Sequence, residues 1–135
     1  MIKKDVQMYG VQPEMVDCER HIAKVFESFG YDCIPTSVVG KKHKIGSLHP
    51  VGFAKDFRTK HINPPKRIET IERILGRLVI EVPQCDFLFE HANQPQEHIH
   101  AEFDPKNDLK FQEHKARYKL TGNWPNRNEE EETEL

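Results

Sequence analysis

Two short stretches carry the residues whose chemistry stands out. Ser47-Leu48-His49-Pro50-Val51-Gly52-Phe53-Ala54-Lys55-Asp56 sets an imidazole and a carboxylate seven residues apart across a Pro–Gly turn. Further on, Glu97-His98-Ile99-His100 sets a carboxylate three residues ahead of an imidazole. Two His, one Asp and a spare Glu are the parts of a zinc centre that keeps one coordination position open for water. The arrangement points to a zinc hydrolase. Ser47 adds a hydroxyl suited to orienting His49 or to hydrogen-bonding a substrate.

The elements that must position these groups can be read from periodicity. Residues 13–29 form a helical pattern that opens on Pro13, stops at Gly30 and has Val16, Ile22, Val25, Phe26 and Phe29 as its apolar stripe. Tyr31 to Val39 reads as a strand, Lys41 to Gly46 as a basic loop, and Phe53 to Arg58 as a second strand. After Asn63-Pro64-Pro65, a helix is expected from Lys66 to Leu78, with Ile68, Ile71, Leu75 and Leu78 on one face. Cys85 to Glu90 and His98 to Phe103 read as a hairpin closed by Ala92-Asn93-Gln94-Pro95-Gln96, and a short helix is expected over 106–118.

Strand parity constrains the site. Ala54, Asp56 and Arg58 share one face of their strand, and Phe53 and Phe57 share the other together with Lys55, which must either meet a half-buried face or snorkel to its edge. The small Ala54 leaves space beside Asp56, and Gly52 allows a sharp turn. His98 and His100 share a side, so Glu97 reaches the same metal only from the turn before the strand or from a bulge. His98 is then a supporting group or an alternative ligand.

Ser-x-His-x-x-Gly-x-Ala-x-Asp, matched without a gap at Ser47, His49, Gly52, Ala54 and Asp56, is followed by acid-x-x-His at Glu97 and His100. The combination resembles the zinc D-Ala-D-Ala carboxypeptidase superfamily. That group includes vancomycin-resistance dipeptidases, L-alanyl-D-glutamate endopeptidases of bacteriophage lysis and the hedgehog signalling domain. The resemblance covers roughly residues 13–104, in the family's order of helix, strand, first motif, helix, hairpin and second motif. It implies Zn2+ held by His49, Asp56 and His100, with Glu97 as general acid/base and His98 assisting. Members often carry an Arg upstream of the first motif; here Thr36 to Lys42 contains none, leaving Lys42, Lys44 or Arg58 to bind substrate.

The fold class expected is therefore α+β: a small antiparallel sheet carrying zinc on one face, with helices packed on the other. The domain spans 13–104, after an N-terminal segment 1–12. An extension over 105–128 packs on it, anchored by Leu109, Phe111, Tyr118, Leu120 and Trp124, and 129–135 is an acidic, disordered tail.

Composition narrows the classes further. The chain has 135 residues, 31% of them charged, and a net charge of −2, which gives no whole-protein electrostatic case for nucleic acid or an anionic membrane. No apolar run approaches the ~20 residues that span a bilayer, and the N-terminus lacks a secretory signal. Cys18, Cys33 and Cys85 are odd in number and widely spaced, as expected of reduced, buried thiols in a cytosolic setting. His21, His43, His61, His91 and His114 match no motif and read as surface residues.

Three functions are open to such a chain. One is a zinc peptidase acting on a peptidoglycan stem peptide or D-amino-acid dipeptide, made in the cytoplasm and, if phage-encoded, reaching the cell wall after release. The second is a zinc-containing binding domain without turnover. The third is a metal-free structural domain of a virus or mobile element.

Overall fold

The computed structural model describes residues 12–36, 48 and 52–125. Helix α1 spans Pro13–Ser28 and strand β1 spans Ala54–Arg58. Helix α2 spans Arg67–Glu81, and strands β2 (Cys85–Glu90) and β3 (His98–Phe103) form the hairpin. Helix α3 spans Leu109–Thr121. The three strands make one antiparallel sheet in the order β1-β3-β2. This is an α+β fold with a small antiparallel sheet.

The local reasons are visible in each element. Pro13 occupies the first turn of α1, where its missing N–H costs nothing. Gly30, at φ +87°, turns the chain out of the helix as its N–H and that of Tyr31 close on Glu27 and Phe26 carbonyls. Helix α2 runs three residues past the expected stop at Leu78, because Gly76 is tolerated inside it and Pro83 is what ends it. Its buried face is Ile71, Ile74 and Leu78, with Leu75 only half-buried, a small rotation from the expected stripe. In α1 the inward positions are Met15, Cys18, Ile22, Val25 and Phe26, while Val16 faces out.

The expected strand over 31–39 is much reduced. Pro35 bridges Phe57, Thr36 N–H donates to Asp56 O at 2.9 Å, and Arg58 N–H donates to Ile34 O at 2.8 Å. This short pairing borders the outer edge of β1; residues 37–39 lie outside the described residues. Pro35 sits in a non-hydrogen-bonded pair with Phe57, so its missing N–H faces away from β1 and both flanking ladder bonds are made.

The sheet has two unlike faces. Phe57, Ile99, Ala101, Cys85, Phe87 and Phe89 join the buried faces of α1 and α2 in the main core. Lys55 shares that side and is resolved by snorkelling: its Nζ lies 2.9 Å from Glu19 Oε1 of α1, an ion pair at the core's margin. A second apolar cluster joins Leu48, Phe53 and Ala54 to Phe111 and Tyr118 of α3 and to Trp124. Phe53 is its hub, with its ring centroid 4.8 Å from that of Trp124 and 5.1 Å from that of Phe111. Helix α3 is capped at both ends, by Asp108 accepting from Phe111 N–H at 3.0 Å and by Gly122 at φ +75°. It starts three residues later than expected and keeps Leu109 and Leu120 exposed instead of using them as anchors.

Candidate metal centre

The other face of the sheet is where the chemistry collects. Antiparallel pairing sets Asp56 opposite His100 and Arg58 opposite His98 on the β1 side. On the β2 side it sets Leu88 opposite His100 and Glu90 opposite His98. Because alternate residues share a face, Asp56, Arg58, His98, His100, Glu102, Asp86, Leu88 and Glu90 all belong to this one.

The closest approach is between Asp56 and His100, Oδ1 to Nδ1 at 2.9 Å, with both side chains largely covered. On the other side of the His100 ring, Nε2 lies 3.6 Å from Glu102 Oε1. Burial alone depresses the His100 pKa, but the two flanking carboxylates outweigh it and hold the group up at about 9. The pair of carboxylates around one imidazole therefore favours its protonated form, and a metal ion binding there must displace that proton. Two ligands of a tetrahedral zinc ion stand about 3.3 Å apart given its usual bond lengths, so the Asp56 and His100 donor atoms need only a slight parting to share one. Glu102 at the far ring nitrogen matches the carboxylate partner that orients a metal-bound imidazole.

His98 lies beside this pair. Its Nε2 is 3.0 Å from Glu90 Oε1 and 3.6 Å from Asp56 Oδ1, and its Nδ1 is 2.7 Å from Gln96 O. The imidazole of His91 approaches it, with ring centroids 5.9 Å apart.

Glu97 is elsewhere. It ends the β2–β3 turn, and its carboxylate turns away from His98 and His100 into a buried cluster. Thr59 Oγ1 donates to it at 2.5 Å, Arg67 Nη1 at 2.9 Å and the Asn93 N–H at 2.8 Å, and Arg67 Nη2 closes a second contact. Burial pushes its pKa up, yet the hydrogen bonds from Arg67, Thr59 and Asn93 prevail and bring it down to about 2. Arg67 also donates to Thr59 O at 3.1 Å, so one guanidinium ties the start of α2, the end of β1 and the hairpin turn together. The carboxylate supports a left-handed backbone at Asn93, φ +63°, a conformation Asn tolerates better than most residues. The position in the turn is as the sequence suggests, but the direction of the side chain differs, because Arg67 and Thr59 draw it inward.

The remaining site residues distribute unevenly. His49, Ser47 and Lys42 lie outside the described residues. Of that motif's described residues, Phe53 donates its N–H to Leu48 O at 3.1 Å, and Gly52 has φ +83°. Arg58 lies on the polar face at the end of β1, exposed. His61, read from sequence as a surface residue, is half-buried: its Nε2 is 2.7 Å from Asp32 O and its Nδ1 is buried without a partner.

Sequence reasoning missed Glu90, Glu102 and Arg67. Glu102 was within reach, since it falls on an even step from His98 and His100 in the same strand; Glu90 lies on β2, where no residue had been chosen. What was lacking was the cross-strand register, which puts Glu90 against His98.

A second group of acids, Asp86, Glu102 and Asp104, has oxygen atoms close enough together to surround a cation. Two ammonium groups already serve it. Lys106 contacts both Asp86 and Asp104, and Lys115 reaches Asp104 at 2.5 Å and Glu102 at 3.9 Å. Burial works against the Asp104 charge, but Lys106, Lys115 and Gln112 hold its pKa well below the carboxylate range. The cluster is an ion-pair network that braces α3 and the end of β3.

Among the described residues no helix is long and apolar enough to cross a membrane. No family model matches the chain, and no curated protein and no solved structure matches it.

Proposed function

We propose that this protein is a zinc-dependent peptidase that hydrolyses peptidoglycan peptide bonds involving D-amino acids. The observation that carries the reading is the Asp56–His100 contact, 2.9 Å across the strands on the open polar face. Two residues taken from motifs 44 positions apart thus present an oxygen and a nitrogen donor to one point. Glu102 backs His100, and the metal's third ligand is His49 of the first motif. Bound there, zinc supplies Lewis-acid polarisation of the scissile carbonyl and lowers the pKa of water.

The chain's own groups divide the remaining work. Asp56 and His100 fix the site on paired strands whose backs are packed into the core, which gives them a rigid base. Arg58, exposed at the end of β1, offers a guanidinium to a substrate carboxylate. Ser47 and Lys42 complete substrate binding from the first motif's side. A glutamate moves the proton, and the resemblance gives that task to Glu97.

A non-catalytic zinc domain of the same fold is the second reading. It is favoured by Glu97, whose carboxylate is occupied by Arg67, Thr59 and Asn93 instead of facing His100. Metal analysis combined with incubation on purified peptidoglycan separates the readings. The peptidase binds stoichiometric zinc, loses it on His49→Ala, and releases peptide fragments with new termini identifiable by mass spectrometry. Zinc without any release selects the binding domain.

A further inference from the structure

Four carboxylates line the polar face, and three have evident occupations. Asp56 meets His100 Nδ1, Glu102 stands at His100 Nε2 with Lys115 behind it, and Asp86 is held by Lys106. Glu90 differs from these. Its Oε1 is 3.0 Å from His98 Nε2, and that nitrogen is 3.6 Å from Asp56 Oδ1. One imidazole therefore separates Glu90 from the candidate ligand pair. A carboxylate that exchanges protons with water at a metal must stand one water away, about 5 Å from the ion by usual bond lengths, and must not be a ligand itself. Glu90 stands on the correct face, on the strand next to that of His100, and shares the His98 Nε2 atom with Asp56.

Glu97 does not meet the same requirement. Its side chain is wholly buried, its carboxylate accepts from Thr59, Arg67 and Asn93, and strand parity directs it away from His98 and His100. Swinging it to the polar face breaks all of those bonds and strands the Arg67 guanidinium, which is itself only 20% exposed.

We propose that Glu90, held by His98, is the general acid/base of this site, and that Glu97 is a buried anchor that clamps the hairpin turn to α2 and β1. The proposal rests on the peptidase reading above and departs from it in one assignment, taking the proton transfer from Glu97 and giving it to Glu90. In the step it describes, Glu90 takes a proton from the attacking water, and the water oxygen bonds to the carbonyl carbon. The C–N bond then breaks and Glu90 returns the proton to the departing amine, so no other reactant is consumed.

The test uses the full chain loaded with zinc and purified peptidoglycan as substrate, with three readouts: bound zinc, Tm and released termini. Glu90→Gln is expected to lower turnover by about 10²-fold or more while zinc content and Tm hold at native values. Glu97→Gln is expected to lower Tm while turnover per folded molecule stays within about tenfold of native, the lower limit of a general acid/base contribution being about 10²-fold. Should Glu97→Gln not fold, Arg67→Lys replaces it as the anchor variant, with the same expected drop in Tm and retained turnover. Near-native turnover by Glu90→Gln overturns the proposal and leaves the peptidase reading standing, as does lost turnover at native Tm in Glu97→Gln. A native, zinc-loaded protein that releases nothing from peptidoglycan overturns the peptidase reading, and this assignment with it.

Discussion

Asp56 and His100 face each other across β1 and β3 with Oδ1 and Nδ1 2.9 Å apart, and Glu102 stands on the opposite edge of the same imidazole. The imidazole is therefore fixed from both sides before any metal arrives. Asp56→Ala and His100→Ala are each expected to abolish stoichiometric zinc binding, measured by elemental analysis of dialysed protein. Glu102→Gln, which keeps the shape but weakens the support of the ring, is expected to weaken zinc binding about 10- to 100-fold by competition with a chelator.

Metal binding should also register in stability. Zinc that binds the folded chain at a hundred times its dissociation constant adds about 2.7 kcal/mol, which thermal unfolding resolves as a higher Tm. EDTA is expected to reverse the gain, and Asp56→Ala to eliminate it. Asp104→Asn, which disrupts the Lys106–Lys115 network, is expected to lower Tm and leave zinc stoichiometry at the native value. Loss of zinc in Asp104→Asn would move the metal to the Asp86–Glu102–Asp104 cluster.

The Glu97–Arg67 anchor gives stability a definite pH dependence. The folded pKa of Glu97, about 2, lies below its ordinary 4.5, so the ionised form is what folding favours. Its contribution is fully present above about pH 4.5 and is lost as pH falls from there through about 2. Urea midpoints measured from pH 6 to pH 2 are expected to fall for native protein across that window, and to fall less steeply for Arg67→Ala. At pH 7 Arg67→Ala is expected to cost about 3–5 kcal/mol, because it leaves a buried carboxylate unpaired.

Phe57 is wholly buried between the sheet and the helices, next in sequence to Asp56 and 6.4 Å from Phe26 by ring centroids. Phe57→Ala is expected to cost about 3–5 kcal/mol in denaturant unfolding. Lys55, on the same side of β1, is different: its Nζ reaches the margin and pairs with Glu19. Lys55→Met retains the buried stem and is expected to change stability by less than about 1 kcal/mol.

The elements were legible because each carries a complete local signal. Pro13 and Gly30 bracket α1, and Cys85–Glu90 and His98–Phe103 are bounded by a polar turn and match the observed strands residue for residue. Errors appear where a distant partner decides. Of the strand expected over 31–39, the described residues 31–36 keep only a short pairing with β1 around Pro35, and α2 runs on to Glu81, just before Pro83, because nothing earlier ends it. His61 reaches Asp32 O, 29 positions away, and so is half-buried.

For the site, the sequence by itself determined which residues of one strand share a face: a strand repeats every two residues, so His98 goes with His100, and Asp56 with Ala54 and Arg58, by parity alone. It did not determine which of them meet. The pairing of Asp56 with His100 and of Glu90 with His98 is a matter of register between strands, set by turn length and by packing of the opposite face. The direction of Glu97 was likewise decided by tertiary structure. A turn carboxylate is free by local rules to point either way, and Arg67, 30 positions earlier, outweighs the cost of burying it.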